Sequence, residues 1–168
     1  MHDAPEVEYG VTPTHTMASM SGLDFVRGIF EGKLPSPPIM QNVEPYDQTA
    51  EAGHVVFHSV PGFRHYNPIG SVHGGYAAIL LDSAMGLAVQ TALPAGTGYT
   101  TLEFKISFIR GMGQDTGPVR TEGKTLNVPP RRRASPTQEA GCSRMRRRRA
   151  WFSRFQRERD TRAAVGRL

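Results

Sequence analysis

Apolar positions recur along this chain in three rhythms, and each predicts a different element. Leu23, Val26, Ile29 and Phe30 return at three- and four-residue spacing just after Ser21. That spacing predicts a short helix capped by Ser21, with Asp24 in its first turn. Pro35, Pro37 and Pro38 are expected to end it. Val55, Val56 and Phe57 sit within His54–Val60, a predicted strand closed by Pro61-Gly62. Its two histidines lie four apart and share one half-exposed face, and without a further ligand set they predict no metal. From Gly74 to Leu93 the apolar residues occupy every side of a helix, which predicts a long buried helix stopped by Pro94. Leu102, Phe104, Ile106 and Phe108 alternate with Thr101, Glu103, Lys105 and Ser107, the mark of a half-buried strand over Thr100–Ile109. After turns at Gly111, Gly113 and Gly117-Pro118, Val119 to Asn127 is expected to form a second strand antiparallel to it. Residues 1–19 carry no clear period and read as a loose leader, ahead of a domain over 20–128.

Two features of the long helix carry chemistry. Asp82 lies in the middle of the apolar run, where a carboxylate is costly unless it is paired or put to use. His73-Gly74-Gly75 opens the helix, and the two glycines leave the first N–H groups uncovered by side chain. A carbonyl or anion can approach them there, aided by the helix dipole. Nine residues separate His73 from Asp82. At about 1.5 Å and 100° per residue they stand half a turn and about 13.5 Å apart along the axis. One helix cannot bring both to one reacting atom, so a site using both requires two copies of the helix.

Composition and charge narrow the setting. At 168 residues the chain is one domain by size. No apolar stretch is long enough to span a membrane, the first residues lack the pattern of a secretory signal, and the single Cys142 supports neither a disulfide framework nor a cysteine-built zinc site. These features favour the cytoplasm. The net charge of +5 hides a division: residues 1–128 hold 7 Lys+Arg against 12 Asp+Glu, whereas residues 129–168 hold 13 basic against 3 acidic, every base an arginine.

The order of strand, Asn67-Pro-Ile-Gly-Ser-Val-His73-Gly-Gly turn, helix with Leu80-Leu81-Asp82, and Thr100-Thr101-Leu-Glu strand resembles the hotdog-fold acyl-CoA thioesterases, in their phenylacetate-degradation (PaaI-type) branch. The resemblance spans roughly residues 20–128. It implies an α+β hotdog fold, a curved antiparallel sheet wrapped around the central helix, assembled into homodimers or homotetramers with sites at the interface. It also implies hydrolysis of an acyl-CoA, an aryl one by the branch, without metal or cofactor. Residue by residue, it makes Asp82 the general base for water or the nucleophile. Asn67 and His73 would position the thioester, the Gly74 N–H would polarise its carbonyl, and the Thr101 hydroxyl would orient the water. Gly75 and Thr100 would border the substrate. The residue types suit the reaction, since N–H groups at a helix start stabilise the charge that develops on a carbonyl oxygen. A non-hydrolytic acyl-CoA-binding protein or a hydratase of the same fold is the alternative.

From Val128 onward the resemblance stops, and the family's last two strands are replaced by arginine-rich text. Read at face value this is a basic tail able to bind nucleic acid or anionic lipid. Arginine without lysine is also what GC-rich coding DNA yields when read out of frame, because codons beginning CG encode it. Read from each third base, Trp151-Phe152 can only give valine, and Met145 before a CG codon gives alanine, within what then reads as an apolar closing strand. The tail is therefore expected to be a frameshift product beginning near residues 127–130. Independent sequencing of the coding DNA across codons 126–133 is expected to restore the apolar frame. An unchanged sequence there would make the arginine tail genuine.

Overall fold

The computed structural model describes residues 7–126. The arginine-rich segment, and with it the expectation of a replaced C-terminus, lies outside the described residues.

Three helices and three strands occur in the order α1 (Thr14–Ala18), α2 (Gly22–Phe30), β1 (Tyr46–Glu51), β2 (His54–Ser59), α3 (Gly74–Thr91) and β3 (Val119–Lys124). Short 3₁₀ turns cover Pro38–Asn42 and Phe63–His65. The sheet is antiparallel with order β1-β2-β3.

Ser21 caps α2 as its chemistry predicts. Its hydroxyl accepts the Asp24 N–H at 3.1 Å and donates to the Asp24 carboxylate at 2.6 Å. The prolines do not end this helix. Gly32, at φ +70°, ends it several residues earlier. The Lys33 N–H reaches the Gly28 carbonyl at 2.8 Å and the Gly32 N–H reaches Ile29 at 3.1 Å, the paired bonds of a Schellman turn. The stretch expected to be a loose leader is held from Glu8 on: the Ser36 N–H bonds the Glu8 carbonyl at 2.8 Å and the Gly10 N–H bonds the Ser36 carbonyl at 2.9 Å.

The core lies between α3 and the sheet. Ala77, Leu80, Ala84 and Ala88 form one fully buried stripe of the helix, facing Val55 and Phe57 of β2 and Val119 of β3. Helix α3 has no exposed residue along its length, in keeping with its all-round apolar pattern. Small residues let the layers close tightly. A Cβ on Gly123 would stand 2.0 Å from the Ala84 carbonyl oxygen, so β3 can lie here only with glycine at that position. Val26 of α2 and Met40 and Val43 complete the core.

The expected strand over Thr100–Ile109 is a correction. Among the described residues it joins no ladder, and β3 pairs instead with β2, Ser59 opposite Val119 and His54 opposite Lys124. Alternation specifies which side chains would be buried together, but a strand also needs an edge to bond. The segment runs over α3 instead: Tyr99 packs on Gly86 and Phe108 on Gly74. Leu102 and Ile109 remain exposed, at 61% and 88%.

The outer face of the sheet carries charge. His54 bonds Glu122 at 2.7 Å, Arg120 donates to the same carboxylate at 2.7 Å, and His58 stands 3.1 Å from Asp47. The histidines thus sit on the half-exposed face, with charged neighbours and no metal set among the described residues. The Arg120 guanidinium, and after it His54, hold the Glu122 carboxyl down to about 2 from an ordinary 4.5. A carboxyl depressed in the folded state adds stability above about pH 4.5 that is lost as pH falls towards 2. In Glu122→Gln the slope of stability against pH across that window is expected to flatten, as read by urea unfolding. An unchanged slope would remove this pair from the acid response.

Candidate active site

Asn67 builds the turn that precedes α3. Its Oδ1 accepts the N–H groups of Ile69 and Ser71 at 3.1 and 3.2 Å, and its Nδ2 donates to the Ser71 hydroxyl at 2.9 Å. Asn-Pro followed by Gly70 at φ +81° makes this turn local and cheap. The turn delivers His73 to the N-cap of α3, and the His73 N–H bonds the His65 carbonyl at 2.7 Å.

The His73 side chain corrects one expectation about the helix start. Its Nδ1 accepts the Gly75 N–H at 2.8 Å, so that donor is covered by side chain. In the neutral ring the proton then sits on Nε2, which leaves an N–H donor on the exposed side. His73 and Gly75 line a cleft of about 680 Å³ together with Asn42, Arg64, His65 and Tyr76.

Two of the lining residues, His65 and Tyr76, are packed on each other and were not marked by the sequence. The His65 ring lies on Tyr76 with centroids 4.5 Å apart. His65 Nδ1 accepts the Gly62 N–H at 2.8 Å, while its Nε2 stands 2.8 Å from the Asn42 carbonyl and 3.1 Å from Arg64 Nε. The Tyr76 hydroxyl donates to Ser59 Oγ at 2.8 Å, and both residues are buried. Burial pushes the Tyr76 phenol up, against the opposing Ser59 bond, and keeps it protonated. Arg64 is held by Glu44 at 2.5 Å at the mouth.

Asp82 lies apart from this cleft. It sits on the side of α3 turned away from the Leu80–Ala84 stripe, and its Oδ1 is buried without a hydrogen-bond partner. The segment after α3 passes over this side. A Cβ on Gly86, one turn beyond Asp82, would stand 2.0 Å from the Tyr99 hydroxyl oxygen. Thr100 and Thr101 follow Tyr99 and are exposed. Asn67, His73, Gly74 and Gly75 are thus brought together at the helix start, while Asp82 stands nine residues along the same helix. Within one chain they form two clusters, as the rise of a helix requires. Gly86, an isolated glycine in an apolar helix, was the one available sign that something packs close to Asp82.

The fold is that of the hotdog thioesterases, an antiparallel sheet against one long helix. The family model described as Thioesterase superfamily matches residues 69–128, which take in α3, β3 and the turn before α3 from Ile69 on, but not Asn67. A solved Ralstonia eutropha JMP134 protein, titled a putative thioesterase and phenylacetic acid degradation-related protein, superposes with a TM-score of 0.56. It shares 23% identity over 63% of this chain and 80% of that one. Zebra fish thioesterase superfamily member 2 gives 0.49 at 23% identity, over 64% of this chain and 78% of that one. A protein of Halobacterium salinarum, named a putative esterase, is 46% identical over 43 residues, which is 24% of this chain and 28% of that protein. The match therefore spans little more than a quarter of that relative.

The contribution of the buried Tyr76–Ser59 bond is open to a direct test. Removing the phenol oxygen leaves Ser59 Oγ buried without its donor, and Tyr76→Phe is expected to cost about 1–3 kcal/mol in urea unfolding. A cost near zero would show that the bond contributes nothing net.

Proposed function

We propose that this chain is an acyl-CoA thioesterase of the cytoplasm, acting as a homodimer or a homotetramer, with an aryl acyl group as its preferred substrate. The observation that carries the reading is Asp82: a carboxylate oxygen buried without a partner, on the central helix of a thioesterase fold. A structural carboxylate in such a place is paired. One poised for a water is not.

In this reading Asp82 is the general base. It takes one proton from a water whose oxygen attacks the thioester carbonyl carbon. The charge that builds on the carbonyl oxygen is met by the Gly74 N–H at the start of α3, where the helix dipole adds to it. Collapse breaks the carbon–sulfur bond, and the proton held by Asp82 passes to the departing thiolate. The products are a carboxylic acid and free CoA. Asn67 and His73 position the thioester, Gly75 and Thr100 border the substrate, and the Thr101 hydroxyl helps orient the water from the segment that passes over α3. Because His73 and Asp82 cannot converge on one helix, a second copy supplies the complementary half of each site.

The test is release of free thiol from a panel of aryl and straight-chain acyl-CoA esters. Asp82→Asn is expected to lower kcat by about 10²–10⁴ while leaving acyl-CoA binding intact. Binding without turnover in the unsubstituted chain would favour a non-hydrolytic acyl-CoA protein. Equal turnover in the variant would remove Asp82 from the mechanism. Binding of nucleic acid that falls steeply with salt would point to the arginine tail as a function of its own.

A further inference from the structure

We infer that Tyr99 is a further catalytic residue, its phenol oxygen holding the attacking water against Asp82. The inference rests on the thioesterase reading above and names a residue it does not use. Three observations converge on it. The hydroxyl end of Tyr99 is the part of the ring that touches α3, since a Cβ on Gly86 would meet its oxygen at 2.0 Å and its Cζ at 2.6 Å. Gly86 is four residues beyond Asp82 and so lies one turn along on the same side of the helix. The Asp82 Oδ1 is buried and lacks a partner.

A water that attacks a carbonyl needs two fixed contacts, one to the base and one to orient the remaining O–H. Asp82 supplies the first. The Tyr99 oxygen supplies the second by accepting the other O–H, which leaves the water's lone pair directed at the thioester carbon. The proton taken by Asp82 is later delivered to the thiolate, and Tyr99 exchanges none. Burial, and after it the facing Asp82 charge, push the Tyr99 phenol up and keep it protonated. Thr101, which the resemblance assigns to the water, is exposed; Tyr99 is 41% exposed, with its hydroxyl end against α3. Gly86 is the enabling residue, because any side chain there displaces the phenol.

Five variants of the full-length chain test this. Tyr99→Phe keeps the ring and removes the oxygen; it is expected to lower kcat about tenfold with KM unchanged, because the oxygen touches water and not acyl-CoA. Gly86→Ala is expected to lower kcat by a similar factor, and Gly86→Ala/Tyr99→Phe no further than either alone. A Tyr99→Phe kcat within twofold of the unsubstituted chain would overturn the inference. A thermal cycle of Tyr99→Phe, Asp82→Asn and the double variant reads the pair without turnover. Melting shifts that fail to add support a shared water; additive shifts overturn it. Loss of the thioesterase reading appears instead as absent hydrolysis, or as an Asp82→Asn chain that still hydrolyses, with the coupling intact.

Discussion

Everything in this molecule depends on how closely one helix lies against one sheet. Helix α3 approaches β3 until the Ala84 carbonyl lies where a Gly123 side chain would be, and its alanine stripe at 77, 84 and 88 keeps that approach uniform. Close packing makes such an interface intolerant of added volume, and it fixes the rotation of the helix about its own axis. Once that rotation is fixed, the direction of every other residue on α3 follows. Leu80 must face the sheet, and Asp82, two residues on, must face away. The isolated carboxylate is therefore not an accident of packing. It is held on the outer side by the same contacts that bury the inner one.

A second consequence concerns division of labour along the helix. Its start is made by a rigid turn in which Asn67 satisfies two backbone N–H groups and His73 caps the first turn. Its middle carries an acid with an unmet oxygen and an aromatic hydroxyl close by. The first cluster suits recognition of a carbonyl, the second suits handling of water. The proposed hydrolysis uses both at one carbon, and a rigid helix holds them apart, so on that proposal each chain supplies half of a site.

How much of this was legible in the residues varies for physical reasons. Helix α3 and the Ser21 cap were readable because their causes are local: apolar density on all sides, and a hydroxyl three residues before a free N–H. Strand β2 was readable from its run of Val and Phe. The end of α2 at Phe30 was also readable, but its cause is Gly32, a left-handed residue that turns the chain ahead of the three prolines. The strand over 100–109 was misread because alternation names a face and not a partner. Asn67, His73 and Asp82 stood out by type and position, whereas Tyr99 gains its place only through Gly86, thirteen residues earlier. His65, Tyr76 and Ser59 likewise meet only in the folded chain.

The order of the strands also sets a timetable for assembly. Strands β1 and β2 are joined by the two-residue corner at Ala52-Gly53, a closure that takes microseconds. The β2–β3 ladder joins Ser59 to Val119 across the whole of α3 and the segment beyond it. Long-range closure carries an entropic cost that must be met before any contact repays it, so among the described strands β3 docks last. Until it does, the edge of β2 and the alanine stripe of α3 stand open together. The rate of that final step governs how long the nascent chain is exposed to its neighbours.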